Sequence, residues 1–183
     1  ELVSSVVFLR PLGLRLINRA KGIFENCKYL PEIMFLYLRY SKYLEDDFTE
    51  HKSSFLAYFT DLVEKLSPFF WAVIDENDSL AGFIYLENFT GSDGKLHSAE
   101  ITTCFNKKYW GNFTYLTGVI FLNYCRDILG LKKLKAVIYK ENFRVKTLLK
   151  KLGFQKEALH PAETMKNNKP QDIEEWGFIS ERI

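Results

Sequence analysis

The sequence predicts an α/β (α+β) domain built on a mixed sheet, and three observations carry that prediction. β-prone runs separated by turn residues stand at 70–75, 80–89 and 97–105, a spacing that reads as an antiparallel meander. A strongly apolar helical run at 114–129 precedes a short strand at 135–139, and strand, helix, strand in that order favours a crossover with parallel pairing. Residues 142–152 then place Val145, Leu148, Leu149 and Leu152 on one helical face, with Arg144, Lys146, Lys150 and Lys151 opposite and Gly153 as the C-terminal stop.

The other elements follow in order. Val6 to Leu9 is a first strand, ended by Pro11 and Gly13. Residues 14–29 carry apolar positions at helical spacing up to the break at Pro31, and 32–43 form a second helical piece. Thr49 and Glu50 read as the capped start of an amphipathic helix over 55–66. Turns fall at 76–79 and 90–94, a strand at 154–159, a polar loop at 161–171 and a last strand at 172–179. No repeat, low-complexity stretch or linker divides the chain, so one domain over 1–183 is expected.

Composition narrows the function classes. The 183 residues are 47% hydrophobic and 26% charged, a globular mix able to bury a core rather than a disordered one. Sixteen Phe and ten Tyr supply bulky core material. A net charge of +2, from 25 basic and 23 acidic residues, gives no electrostatic case for a nucleic-acid partner. Lysines and arginines do crowd 132–156, either as a solvated helix face or as a rim for an anionic ligand. Cys27, Cys104 and Cys125 are scattered and His51, His97 and His160 isolated. No metal site is therefore expected, and the cysteine usage fits a reducing, cytoplasmic setting. No apolar run approaches the roughly 20 residues of a membrane helix, and the first residues show no secretory pattern.

The chemistry concentrates at 106–114. A strand ends there, one glycine turns the chain, and a helix begins near Asn112 or Thr114. The first amides of a helix lack intrahelical acceptors and carry the positive end of its dipole. Gly111 permits the backbone angles that an anion-binding nest needs, and Lys107 and Lys108 add charge. A glycine between strand and helix alone more often only turns the chain.

Three patterns together give it meaning: Ala99-Glu100-Ile101-Thr102-Thr103-Cys104-Phe105, then Lys108-Tyr109-Trp110-Gly111-Asn112-Phe113, then Asn142 through Gly153-Phe154. They resemble the central strand, the pyrophosphate loop and the Asn-led helix of the GNAT superfamily of N-acetyltransferases. Tyr109-Trp110-Gly111 is similar to the Rim-type branch, whose members acetylate ribosomal-protein N-termini or antibiotics. The resemblance implies a mixed, mostly antiparallel twisted sheet of about seven strands with about four helices. It implies acetyl-CoA as co-substrate and a primary amine, small molecule or protein N-terminus, attacking directly in a ternary complex. Thr103, Cys104 and Phe105 would pair with the pantetheine arm. The backbone amides of Tyr109, Trp110, Gly111, Asn112, Phe113 and Thr114 would hold the pyrophosphate. Asn142 would meet the pantetheine arm or adenine side, and some of Lys107, Lys108, Lys146 and Arg144 would face the 3′-phosphate ribose.

An amine of pKa about 8 to 10 must lose a proton before it attacks. Glu100 is the candidate base on the resemblance; otherwise it is a strand carboxylate paired with Lys95 or Lys107. Tyr139 is the candidate acid toward the leaving thiolate, or a structural strand tyrosine. An amide near Thr103 or Cys104 would polarise the thioester carbonyl. Cys104 itself reads as small and buried. The chain departs from the family at Lys108 (usually Gln or Arg), Phe113 (usually small) and Leu149 (often Tyr). These departures keep open a second reading, a non-catalytic acyl-CoA-binding or protein-interaction module. Expected partners are acyl-CoA and the amine acceptor, with no nucleic acid and no membrane, in a monomer or homodimer. The acceptor is expected beside the early helices of 14–66 and the loop 161–171.

Overall fold

The computed structural model describes residues 8–11, 29–51, 54–92 and 94–180. The helix expected over 14–29 lies almost wholly outside them. Seven strands are hydrogen-bonded in the order β1-β2-β3-β4-β5-β7-β6: β1 is Phe8–Pro11, β2 Phe70–Ile74, β3 Leu80–Ser92, β4 Lys95–Phe105, β5 Lys133–Tyr139, β6 Gln155–Lys166 and β7 Lys169–Ile179. Among the described residues four α-helices accompany them: α1 Leu30–Leu44, α2 Phe55–Leu66, α3 Asn112–Asp127 and α4 Phe143–Lys151. β1–β2, β2–β3, β5–β7 and β6–β7 are antiparallel, while β4–β5 is parallel across the α3 crossover. This is the mixed α+β fold the sequence predicts. The chain divides into two compact units.

The first unit comprises Glu1–Ser41, Glu50–Tyr85 and Thr103–Trp110. Pro31 sits in the first turn of α1, where its missing N–H costs nothing. Leu30, Ile33, Leu36 and Tyr37 form the buried stripe of α1 at helical spacing. The cap of α2 is Ser54, whose hydroxyl accepts from the Ala57 amide at 3.1 Å; Thr49 instead lies in a turn with Asp46, so the cap expected there is corrected. Phe59, Val63 and Leu66 bury the inner face of α2. β2 is buried at every residue, which explains its unbroken apolar run. Phe70, Phe83 and Tyr85 stack along it at centroid spacings of 5.4 to 6.3 Å.

The second unit comprises Lys42–Thr49, Leu86–Thr102 and Gly111–Ile183. Thr117, Phe121, Leu122 and Cys125 bury one face of α3. Gly118 admits Leu152, since a Cβ there would stand 2.7 Å from its methyl carbon. Gly153 has φ +89° just past α4, as its place after the helix demands. The expected polar loop 161–171 is instead mostly strand. β6 and β7 form a long hairpin around Asn167 and Asn168, both at positive φ (53° and 56°). Asparagine tolerates that conformation, and the tight turn it makes matches strand twist. Two adjacent asparagines were the available signal.

Candidate active site

β4 and β5 run together only briefly. Ser98, Ala99 and Glu100 pair with Lys133, Leu134 and Lys135, and the ladder stops there. β5 stays paired to β7 out to Tyr139, and β4 remains extended. The strands part after Glu100 and Lys135, and among the described residues Ile101 and Thr102 have no partner in β5. An extended, amide-bearing arm can add at such a place as a further strand. No residue of that stretch need change for this to occur; the geometry alone offers the ladder positions.

In the first unit, the end of β4 is tightly held. Thr103 is half-buried and Cys104 and Phe105 are buried. Burial pushes the Cys104 thiol up to about 12, so it is no ready nucleophile. The Asn106 amide donates to the Ala81 carbonyl at 2.8 Å. A 3-10 turn over Lys107–Tyr109 follows. In it the Tyr109 amide donates to Asn106 O (2.9 Å) and the Trp110 amide to Lys107 O (3.2 Å). Both amides are therefore used internally and are withdrawn from the expected pyrophosphate set. The side chains of this pair are anchors. The Tyr109 hydroxyl donates to Asp75 Oδ2 at 2.6 Å, which holds the Asp75 carboxyl below its usual range; burial, then Asp75, raises the phenol. Trp110 Nε1 donates to the Phe105 carbonyl at 3.0 Å, and its ring lies 5.9 Å from that of Tyr40. Lys108 is exposed, its Nζ 4.7 Å above the Tyr109 ring.

In the second unit, Gly111 caps α3 with φ 108° and ψ −124° and no side-chain hydrogen bond. A Cβ there would meet nothing within 4 Å. The glycine is required by its backbone angles, which L-residues avoid, and not by crowding. The first amide bonded back to the cap is that of Tyr115, to Gly111 O at 3.1 Å. Asn112, Phe113 and Thr114 make up the first turn, at the positive end of the helix dipole. Asn112 is exposed, Phe113 half-buried and Thr114 buried.

Asn142 is the N-cap of α4: its Oδ1 accepts from the Val145 amide at a long 3.5 Å. Its Nδ2 has no protein partner among the described residues and remains a donor. Lys146 is tied up within the fold. Its Nζ is 3.0 Å from Oε1 of Glu174, with the lysine side chain 15% and the glutamate 5% exposed. Lys156 reaches the same oxygen at 3.0 Å, and Trp176 Nε1 donates to Oε2 at 3.1 Å. A buried carboxylate must be paired, and Lys146 serves that need, which corrects its expected role. Leu149 is core.

Glu100 is half-buried, and its Oε2 accepts from Asn88 Nδ2 at 2.9 Å; neither Lys95 nor Lys107 is its partner. The Tyr139 hydroxyl donates to the Glu45 carbonyl at 2.7 Å. Burial foremost, then Asp46, Asp47 and Glu45, push it up to about 12. That proton is committed to the backbone, which favours the structural alternative for Tyr139. Asn88, Asp75 and Glu174 were missed in the sequence because nothing local marks a long-range polar partner. Among the described residues no group of three or more His, Cys, Asp or Glu side chains could hold a metal ion, and no helix is long and apolar enough to cross a membrane.

The solved structures include a spermidine N-acetyltransferase from Vibrio cholerae, in complex with CoA and spermine. It is similar to this chain at 21% identity and TM-score 0.73, with 96% of each chain covered. A GNAT-family acetyltransferase from Bacillus anthracis is similar at 22% identity and TM-score 0.57, covering 68% of this chain and 74% of that one. Among curated proteins none matches the sequence. Residues 20–155 match the family described as the acetyltransferase (GNAT) domain, which is most of the chain and includes the β4 strand, the Gly111 turn and Asn142, so the protein belongs to the GNAT acetyltransferase family.

Proposed function

We propose that the chain transfers an acetyl group from acetyl-CoA to a primary amine, as a member of the Rim-type branch suggested by Tyr109-Trp110-Gly111. The observation that carries the reading is the parting of β4 from β5 after Glu100 and Lys135. Acetyl-CoA supplies an activated acyl thioester. Residues of the second unit fit it: the extended stretch Ile101–Thr102 offers backbone for the pantetheine amides, Asn142 Nδ2 offers a further donor, and the start of α3 at Gly111 suits phosphates. Glu100 is the base. It is half-buried and carries one hydrogen bond, so it can accept a proton from an amine directly or through one water.

Acceptor identity is the finer part of the proposal. The Vibrio cholerae neighbour was solved with spermine, which makes polyamines the first amines to try, beside a peptide with a free N-terminus for the Rim-type reading. The test has two parts. Millimolar acetyl-CoA is expected to raise the melting temperature of the native chain and to do so less for Gly111→Ala, because an alanine at φ 108° strains the turn by about 1–3 kcal/mol. Free thiol is then expected on adding spermidine or the peptide. Stabilisation without thiol from any amine would favour the non-catalytic binding module, and no stabilisation at all would refute both.

A further inference from the structure

We infer that Asn88 is a positioning residue for Glu100, an assignment that rests on the transferase reading above. Asn88 lies within β3, yet its φ is +50°. Asparagine is among the few residues that adopt such angles with little strain. Core packing does not demand it, for Asn88 is exposed. Its one side-chain hydrogen bond among the described residues runs from Nδ2 to Glu100 Oε2 at 2.9 Å. Two residues along each strand, the Thr90 and Ser98 hydroxyls bond at 2.6 Å, which pins the register that sets Asn88 against Glu100.

The consequence is chemical. An amide donor on one carboxylate oxygen fixes the side chain and leaves the other oxygen to work. Oε1 of Glu100 takes no protein hydrogen bond among the described residues, so the carboxylate is held by Oε2 and presents Oε1 for the amine's proton. The irregular backbone of β3 is what aims the amide.

The test is a double-mutant cycle on the full chain, with thiol release from acetyl-CoA as readout and the best amine of the panel as acceptor. Asn88→Gly keeps the backbone at ease and removes only the amide. It is expected to lower kcat about 30-fold, the size of one lost hydrogen bond to a charged group, with KM for acetyl-CoA and the melting temperature unchanged. In a Glu100→Gln background the same change is expected to have no further effect. Asn88→Asp keeps shape and backbone tolerance but sets carboxylate against carboxylate, and is expected to lose more than the glycine variant. Native kcat in Asn88→Gly, an equal loss in both backgrounds, or native kcat in Asn88→Asp would each overturn the assignment while leaving the transferase reading in place. No thiol from the unaltered chain with any amine would overturn both.

Discussion

Replacing Lys146 by methionine separates a structural lysine from a cofactor lysine. Methionine keeps the length of the apolar stem and removes the charge, so what is lost is the 3.0 Å contact with Glu174. Breaking a buried ion pair by removing one partner costs about 3–5 kcal/mol when the other charge is stranded. Glu174 is not fully stranded here, because Lys156 and Trp176 still bind its two oxygens. Lys156 is 40% exposed, so water screens most of its compensation. The cost therefore falls near that of one hydrogen bond to a charged group, about 2 kcal/mol. For a chain of this size that is a drop of roughly 4–8 °C in Tm. The pH dependence follows from Glu174. Burial alone would raise its carboxyl, but the bonds from Lys156, Lys146 and Trp176 outweigh burial and hold it below its ordinary 4.5. A depressed carboxyl stabilises the fold above its unfolded pKa, and that stabilisation is lost as pH falls through the folded value. Thermal melts of the native and Lys146→Met proteins should differ fully at pH 7 and converge well below pH 4.5. Acetyl-CoA should raise both melting temperatures equally. A gap below about 1 °C at pH 7, a gap that persists in acid, or a selective loss of the acetyl-CoA effect would refute the structural assignment.

Gly82→Ala should destabilise by about 3 kcal/mol, at the upper end of overpacking costs, because the new Cβ would stand 2.3 Å from the Cys104 carbonyl oxygen and 2.8 Å from the Phe105 ring. Backbone cannot rotate away as a side chain can, so denaturant melts with unaltered stability would contradict the close approach. Tyr139→Phe should cost about 1 kcal/mol, one neutral hydrogen bond, since Lys166 Nζ still reaches the Glu45 carbonyl at 2.7 Å. Its turnover should fall by less than the hundredfold expected on removing a general acid; a larger fall, measured by thiol release, would restore Tyr139 as the acid.

Much of the fold was legible because its signals are local. Period and punctuation mark the meander, the crossover and α4, and Gly153 ends that helix where a positive φ is required. Boundaries and caps were harder. Ser54 and Thr49 are equally good caps by composition, and only the path of the chain into α2 decides for Ser54. The hairpin at Asn167 and Asn168 looked like a loop because β6 is mostly exposed and polar, with no apolar alternation to betray it. At the site, Gly111 was readable because its backbone angle permits so few residues. The amides of Tyr109 and Trp110 close a turn, and residue type alone cannot say whether an amide faces a ligand or does so.

By itself, then, the sequence determined the element order from residue 30 onward, the fold class and the family, since each depends on patterns within a few tens of residues. Tertiary structure decided which polar groups are left over for chemistry. Glu174 claims Lys146, the Glu45 carbonyl claims Tyr139 and Asn88 meets Glu100, in pairs separated by 28, 94 and 12 residues. Buried and half-buried polar groups must find partners wherever the fold brings them, and that search is settled in space, where sequence spacing gives no guide.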